Sequence, residues 1–379
     1  MNIGVDIRAI GKGRAVSRYT LNVLKALYSL DQGIKFYLFT DSSDKVSAFK
    51  LPDGAFESVT VGEKMMIKDH FLLQKEIKKY PLDVFFHPDN TEFLFCHERS
   101  AVVIHDLIPW LLPNLVLSSD PFLNLRQKIY LKLQEKAILR SAKRILTVSK
   151  ASREDIIKVL NVDPDLIEVT YEGVEDTFKP VTDNSLSEKI SRKYNLPDNY
   201  IFYVGGLDER KNLLRLIHAF ARIAGNYEIF LVIGGKTDDS DLEGRNSFLD
   251  LRKEVERLGL GSLVNFTGFI EEADLPSVYS RAKLFVYPSS YEGFGLPPLE
   301  AMACGVPVVA SSASSLPEIC SEAALLVDPY KTEEFYSAID ILLKDNNLRG
   351  EYIKKGFINA GRFKWRDVGE KTLKALKSI

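Results

Sequence analysis

The chain has 379 residues, of which 45% are hydrophobic and 27% charged, which excludes a disordered or fibrous protein and predicts about two domains. Its net charge of -2 gives no sign of a nucleic-acid partner, and no apolar run approaches the roughly 18 residues of a membrane span. Three cysteines, Cys96, Cys304 and Cys320, lack metal or disulfide spacing, which suits a reducing compartment.

The chain opens on Met1-Asn2-Ile3-Gly4-Val5-Asp6, with no basic region followed by an apolar core. It reads as a first strand, not a signal peptide, and a cytoplasmic protein is expected. In the first half, strands are predicted at residues 3–6, 36–40, 84–86, 102–105, 145–148 and 167–171, with amphipathic helices at 18–29, 122–140 and 150–160. The loop after the first strand runs Gly11-Lys12-Gly13-Arg14-Ala15-Val16-Ser17-Arg18-Tyr19. Val16 stands at the third glycine position of a G-x-G-x-x-G fingerprint, which argues against a nicotinamide cofactor. Phe178-Lys179-Pro180 and the polar segment through Asn195 read as a linker. Strands follow at 201–204, 229–233, 264–267, 284–287 and 307–310, and Asn212 is placed to cap a helix whose apolar face is Leu213, Leu216, Ile217 and Phe220. The alternation predicts an α/β protein of two doubly wound, Rossmann-like domains, residues 1–180 and 181–362, facing each other across a cleft. Ligands in such sheets bind at the carboxyl ends of strands.

Three groups of residues fall at predicted strand ends. After 284–287 comes Tyr291-Glu292-Gly293-Phe294-Gly295-Leu296-Pro297-Pro298-Leu299-Glu300, a glycine-rich bend and a proline-opened helix. Two carboxylates for hydroxyls and a helix N-terminus for an anion suit a ligand carrying sugar and phosphate. The alternatives are an exposed helix acid at Glu300 and a turn acid at Glu292. A glycosidase pair is disfavoured, because eight residues span roughly 12 Å in a helix. After 201–204 comes Gly205-Gly206-Leu207-Asp208-Glu209-Arg210-Lys211-Asn212, where two cations follow a close turn. Such cations stabilise a departing diphosphate, though a solvated turn would read the same way. After 102–105 comes His105-Asp106-Leu107-Ile108-Pro109-Trp110, with the histidine at the strand's end. Asp106 either orients that imidazole or contacts acceptor or sugar hydroxyls.

These motifs, in this order, resemble the retaining, nucleotide-sugar-dependent glycosyltransferases of family 4, which have the GT-B fold. Thr147-Val148-Ser149, Glu172-Gly173-Val174 and Phe363-Lys364-Trp365 extend the resemblance over essentially the whole chain. It implies an acceptor-side N-terminal domain, a nucleotide-sugar-binding C-terminal domain, and a helix over 363–379 crossing back to the first. It gives Glu300 the nucleoside ribose, Glu292 the transferred sugar, Arg210 and Lys211 the donor diphosphate, and His105 the donor sugar. Gly13, Gly205, Gly206, Gly293, Phe294, Gly295 and Leu296 complete the donor contacts, and Asp106 and Trp110 are the candidates for acceptor or sugar. The loop carrying Gly13 departs from the family's pattern, with Ala15 and Ser17 where glycines are frequent. The nearest look is to mannosyltransferases of bacterial surface polysaccharides, which implies hexose transfer from GDP-mannose to a saccharide or lipid-linked acceptor by a front-face mechanism. A UDP-sugar-dependent transferase, a sugar-nucleotide epimerase and a non-catalytic partner of a transferase are the alternatives. No Asp-x-Asp motif stands at a strand end, Asp163-Pro164-Asp165 reads as a loop, and neither metal nor cofactor is expected.

One helix stands apart. Residues 122–144 carry Arg126, Lys128, Lys132, Lys136, Arg140, Lys143 and Arg144 against Glu135 alone, with Leu125, Ile129, Leu133 and Ile138 at helical spacing. The apolar loop Trp110-Leu111-Leu112-Pro113-Asn114-Leu115-Val116-Leu117 precedes it. Two readings stand side by side: a core-facing helix with a solvated basic face, and peripheral docking on an anionic membrane surface.

Overall fold

A computed structural model describes residues 1–11, 14–42, 44–47, 49, 51–52, 54–61, 73–89, 99–116, 121–237 and 247–379. The chain divides into two compact units, Met1–Gly173 with Lys364–Ile379, and Val174–Phe363.

In the first unit, seven parallel strands among the described residues form one sheet. They are β1 (Asn2–Asp6), β2 (Lys35–Thr40), β3 (Phe56–Thr60), β4 (Val84–His87), β5 (Ser100–Ile104), β6 (Ala142–Thr147) and β7 (Ile167–Val169), in the order β3-β2-β1-β4-β5-β6-β7. β1, β4 and β5 are buried almost throughout, as expected of central strands covered on both faces. β3 was not among the predicted strands. It is an edge strand whose Ser58 and Thr60 face solvent, so it lacks the apolar run that marks the others. The order reverses beside β1, and the loops following β1, β4 and β5 lie at the carboxyl ends around that reversal.

The second unit holds β8 (Tyr200–Val204), β9 (Phe230–Gly234), β10 (Val264–Gly268), β11 (Leu284–Tyr287), β12 (Val308–Ser311) and β13 (Ala324–Val327). Their order is β10-β9-β8-β11-β12-β13, again parallel, with the reversal between β8 and β11. The helix Leu213–Ala224 buries Leu213, Leu216, Ile217, Ala219, Phe220 and Ile223, and each large apolar side chain contributes about 1.5–3 kcal/mol of burial.

Two local expectations are corrected. The polar segment read as a linker contains a helix, Asn184–Lys193, capped by Asp183, whose carboxylate accepts from the Ser185 and Leu186 amides at 2.9 and 3.2 Å. Ile190 and Tyr194, four residues apart, bury that helix's inner side, and the Tyr194 hydroxyl donates to Asp274 at 2.7 Å. Two anchoring side chains in an otherwise polar stretch leave too thin an apolar stripe to see in the sequence. Asn212, in turn, precedes its helix but does not cap it with its side chain. It adopts a left-handed conformation (φ 58°), and its amide donates to the Pro288 and Pro329 carbonyls at 3.1 and 2.6 Å.

The last helix, Trp365–Lys377, belongs to the first unit and packs on the helix Arg14–Leu30. The two approach so closely at Gly369 that a Cβ there would lie 2.7 Å from Ala26 Cβ. Lys377 pairs with Asp31 at 3.2 Å, and the Arg144 Nε donates to Ser378 Oγ at 2.9 Å.

Candidate active site

Two adjacent strand ends build the site of the second unit. After β8 the chain bends through Gly205 and Gly206, where a Cβ would fall 2.6 Å from the Tyr203 hydroxyl and 2.8 Å from Asp208 Oδ2. The Tyr203 hydroxyl also donates to the Gly206 carbonyl at 2.6 Å, so the ring braces the bend from below. A short 3-10 turn, Glu209–Lys211, then presents both cations. The loop after β11 is stitched to this turn: the Ser290 amide and hydroxyl donate to the Arg210 carbonyl at 2.9 and 3.0 Å.

The cations converge on one carboxylate. Lys211 Nζ donates to Glu292 Oε1 at 2.5 Å, and Arg210 Nη1 lies 3.0 Å from the same oxygen. The Tyr287 hydroxyl accepts from Lys211 Nζ at 3.0 Å and donates to Glu292 Oε1 at 3.1 Å. Arg210 Nη1 also donates to the Tyr291 carbonyl at 2.7 Å. Lys211 is only 7% exposed, so the solvated-turn reading of these cations is excluded. Burial pushes the Glu292 carboxyl upward, but Lys211 and Arg210 outweigh it and hold the group down to about 2. At neutral pH the site is therefore a mostly buried carboxylate flanked by two cations.

The bend carrying Glu292 is held from the far side. Ser314 Oγ donates to the Glu292 carbonyl at 2.7 Å, and Ser315 Oγ donates to the Glu292 and Phe294 carbonyls. Gly295 has φ 124°, and a Cβ there would meet Leu316 Cδ2 at 2.8 Å, so both backbone and space call for glycine. Phe294 is buried with its ring edge against Phe363, and Leu296 is buried at the start of the helix Leu296–Ala303. Pro297 and Pro298 carry no N–H and the Leu299 amide closes the first helical turn, so the positive end of this helix rests on the amides of Gly295 and Leu296. It is a narrower anion site than the sequence alone suggested. Glu300 faces inward on this helix, fully buried, and accepts from the Tyr279 hydroxyl at 2.9 Å. An ordinary exposed helix acid is excluded.

In the first unit, His105 follows β5. Its Nε2 lies 2.9 Å from the Pro88 carbonyl and its Nδ1 3.5 Å from Glu172 Oε1, and the Tyr19 ring meets it edge-on at 4.8 Å. Burial disfavours the charged imidazole, yet the Glu172 carboxylate overrides this and the histidine pKa is raised. The Glu172 carboxylate therefore orients the imidazole. The Asp106 carboxylate accepts from the Ile108 amide at 3.0 Å and opens the helix Ile108–Leu111. Trp110 packs on a core cluster that includes Val102, Ile104 and Leu107. Asp163 Oδ1 accepts from the Asp165 amide at 3.0 Å in a 3-10 turn, a local cap. Gly13 and Lys12 lie outside the described residues. Ser17 Oγ accepts from the Gly11 amide at 3.0 Å, so the hydroxyl standing in a frequent glycine position has a local role.

Residues 16–178 match Glycosyltransferase Family 4, and residues 187–358 match Glycosyl transferases group 1. The chain belongs to the family 4 glycosyltransferases. It is 28% identical to the O-antigen chain mannosyltransferase B of Escherichia coli, over 96% of each chain. It is 30% identical to the serotype-specific mannosyltransferase WbdA of Escherichia coli, over 70% of this chain and 32% of that one. Among solved structures, HepE of Anabaena in complex with UDP and glucose superposes with a TM-score of 0.79 at 20% identity, covering 100% of both chains, so the fold is GT-B.

Within this glycosyltransferase, tertiary structure brings Arg210 and Lys211 to a single oxygen of Glu292, and Glu300 lies in the helix that follows directly in the chain. Three contributors escaped sequence reasoning. Tyr287 is the last residue of β11 and read only as a strand residue. Tyr279 lies in the helix Leu275–Arg281 with no motif around it. Glu172 was visible as part of Glu172-Gly173-Val174, but nothing local ties it to a histidine 67 residues earlier.

Proposed function

We propose that this glycosyltransferase is a retaining, metal-independent hexosyltransferase that moves mannose from GDP-mannose to a saccharide or lipid-linked acceptor in surface polysaccharide synthesis. The observation that carries the proposal is the convergence of half-buried Arg210 and buried Lys211 on Glu292 at the strand reversal of the second unit. The mannose assignment is supported by the O-antigen mannosyltransferase that aligns along nearly the full chain.

In the proposed mechanism, the bond from the anomeric carbon to the diphosphate breaks while the acceptor oxygen bonds to the same face. The acceptor's proton passes to the leaving phosphate oxygen. Arg210 and Lys211 stabilise the negative charge that grows on the diphosphate. Their counter-charge Glu292 and the Arg210–Tyr291 bond hold them in place before the donor arrives, so little reorientation is needed in the transition state. The ionised Glu292 accepts from hydroxyls of the transferred sugar, and Glu300, steadied by Tyr279, accepts from the ribose. The resemblance gives His105 the donor sugar; its ring is held by Glu172 at Nδ1 and the Pro88 carbonyl at Nε2, and it donates to the sugar by exchanging the carbonyl at Nε2 while Nδ1 stays on Glu172. Gly205, Gly206, Gly293 and Gly295 allow backbone close to the donor.

A thermal-shift screen against GDP-mannose, GDP-fucose, UDP-glucose and UDP-galactose, followed by release of nucleoside diphosphate, tests the donor. GDP-mannose is expected to give the largest shift and GDP release that depends on an acceptor. Preference for a UDP-sugar would replace the donor, and conversion of the sugar without any acceptor would replace transfer with epimerisation.

A further inference from the structure

The helix Pro121–Ser141 has two apolar sides. Its inner side buries Gln134, Ala137 and Ile138, the last two in the cluster formed with Val102, Ile104 and Ile145. Its outer side exposes Phe122 (68%), Leu125 (56%), Ile129 (51%) and Leu133 (44%), spaced three or four residues apart and so aligned in one stripe. The core-facing reading of Leu125, Ile129 and Leu133 is thereby excluded, and only Ile138 of that set points inward.

The stripe is interleaved with cations in a tandem four-residue pattern. Leu125-Arg126-Gln127-Lys128, Ile129-Tyr130-Leu131-Lys132 and Leu133-Gln134-Glu135-Lys136 each begin with an exposed apolar residue and end with an exposed lysine. Five cations face one acid in this helix, in a chain whose net charge is -2, so positive charge is concentrated here. Lysine stems can lie along apolar surface while their heads reach anionic groups. A row of apolar residues with lysines beside it suits a plane that is apolar inside and negatively charged at its boundary.

We infer that the outer face of Pro121–Ser141 docks on an anionic lipid bilayer, with Leu125, Ile129 and Leu133 at the acyl boundary and Lys128, Lys132 and Lys136 on the headgroup phosphates. No helix among the described residues is long and apolar enough to cross a membrane, so this attachment is peripheral. It does not depend on which donor the enzyme uses.

Co-sedimentation of the full chain with phosphatidylglycerol-containing and pure phosphatidylcholine vesicles tests the inference, alongside sedimentation velocity without lipid. The protein is expected to bind anionic vesicles, to release as salt rises, and to bind neutral ones weakly. Lys128→Glu/Lys132→Glu/Lys136→Glu should lower the partition coefficient roughly a hundredfold or more. Leu125→Ser/Ile129→Ser should lower it at every salt concentration. Thermal midpoint and nucleoside-diphosphate release without vesicles should match wild type for both variants, since all five side chains are exposed. Equal binding to neutral and anionic vesicles, or unchanged binding by both folded variants, would overturn the inference. So would a wild-type dimer that both variants convert to monomer, which would make this face a surface for a second copy.

Discussion

Replacing Glu292 with Gln keeps the shape of the side chain and removes the charge that Lys211 and Arg210 share. The drop of its carboxyl to about 2 in the folded protein corresponds to about 3 kcal/mol favouring the ionised form. Breaking one side of a buried ion pair costs about 3–5 kcal/mol, because the partner's charge stays buried. Both routes place the loss for Glu292→Gln near 3 kcal/mol at neutral pH, read by urea unfolding of the second unit. The pH dependence has a definite sign. A carboxyl lowered on folding stabilises the protein above its unfolded value, and the contribution vanishes as pH falls through the folded value. Wild type and variant should therefore converge as pH falls from about 4.5 to about 2. Calorimetric titration with GDP supplies the second readout. In the variant the two cations lack a counter-charge, so the diphosphate should bind more tightly than to wild type and recover much of the lost stability, while transfer collapses. A stability loss under about 1 kcal/mol, the range of an exposed pair, together with unchanged GDP affinity would refute this account of the site.

Glu300→Ala should weaken GDP binding by about 2–3 kcal/mol, whereas Tyr279→Phe should weaken it less; equal GDP affinity of wild type and Glu300→Ala would remove the ribose assignment. Lys211→Ala is expected to reduce turnover more than donor affinity, as measured by steady-state kinetics against equilibrium binding. Activity should survive a strong chelator, and a large loss restored by magnesium or manganese would refute the metal-independent mechanism. Glu172→Gln should lower the His105 pKa in an NMR titration, since the carboxylate is what raises it; an unmoved titration would show that Glu172 does not act on the imidazole.

Much of this was legible before any coordinates. Apolar runs followed by a His-Asp, a glycine-cation and a glycine-acid string mark the ends of β5, β8 and β11, because a strand end and a tight turn are local events written in adjacent residues. Partnerships are different. Lys211 meets Glu292 because β8 lies beside β11 in the sheet, an order set by how helices cover both faces and not by any residue near either side chain. The same holds for Glu172 with His105 and for Tyr279 with Glu300, each joining elements that are separate in the chain. Asn212 shows the limit from the other direction: its type suits a cap, yet the carbonyls of Pro288 and Pro329 arrive within reach and take its amide. The helix Pro121–Ser141 divides the two contributions most clearly. Its period of apolar residues and lysines is set by the sequence alone. Which way that period faces was decided by packing, since Ala137 and Ile138 fill the core against β5 and β6 and thereby turn Leu125, Ile129 and Leu133 toward solvent.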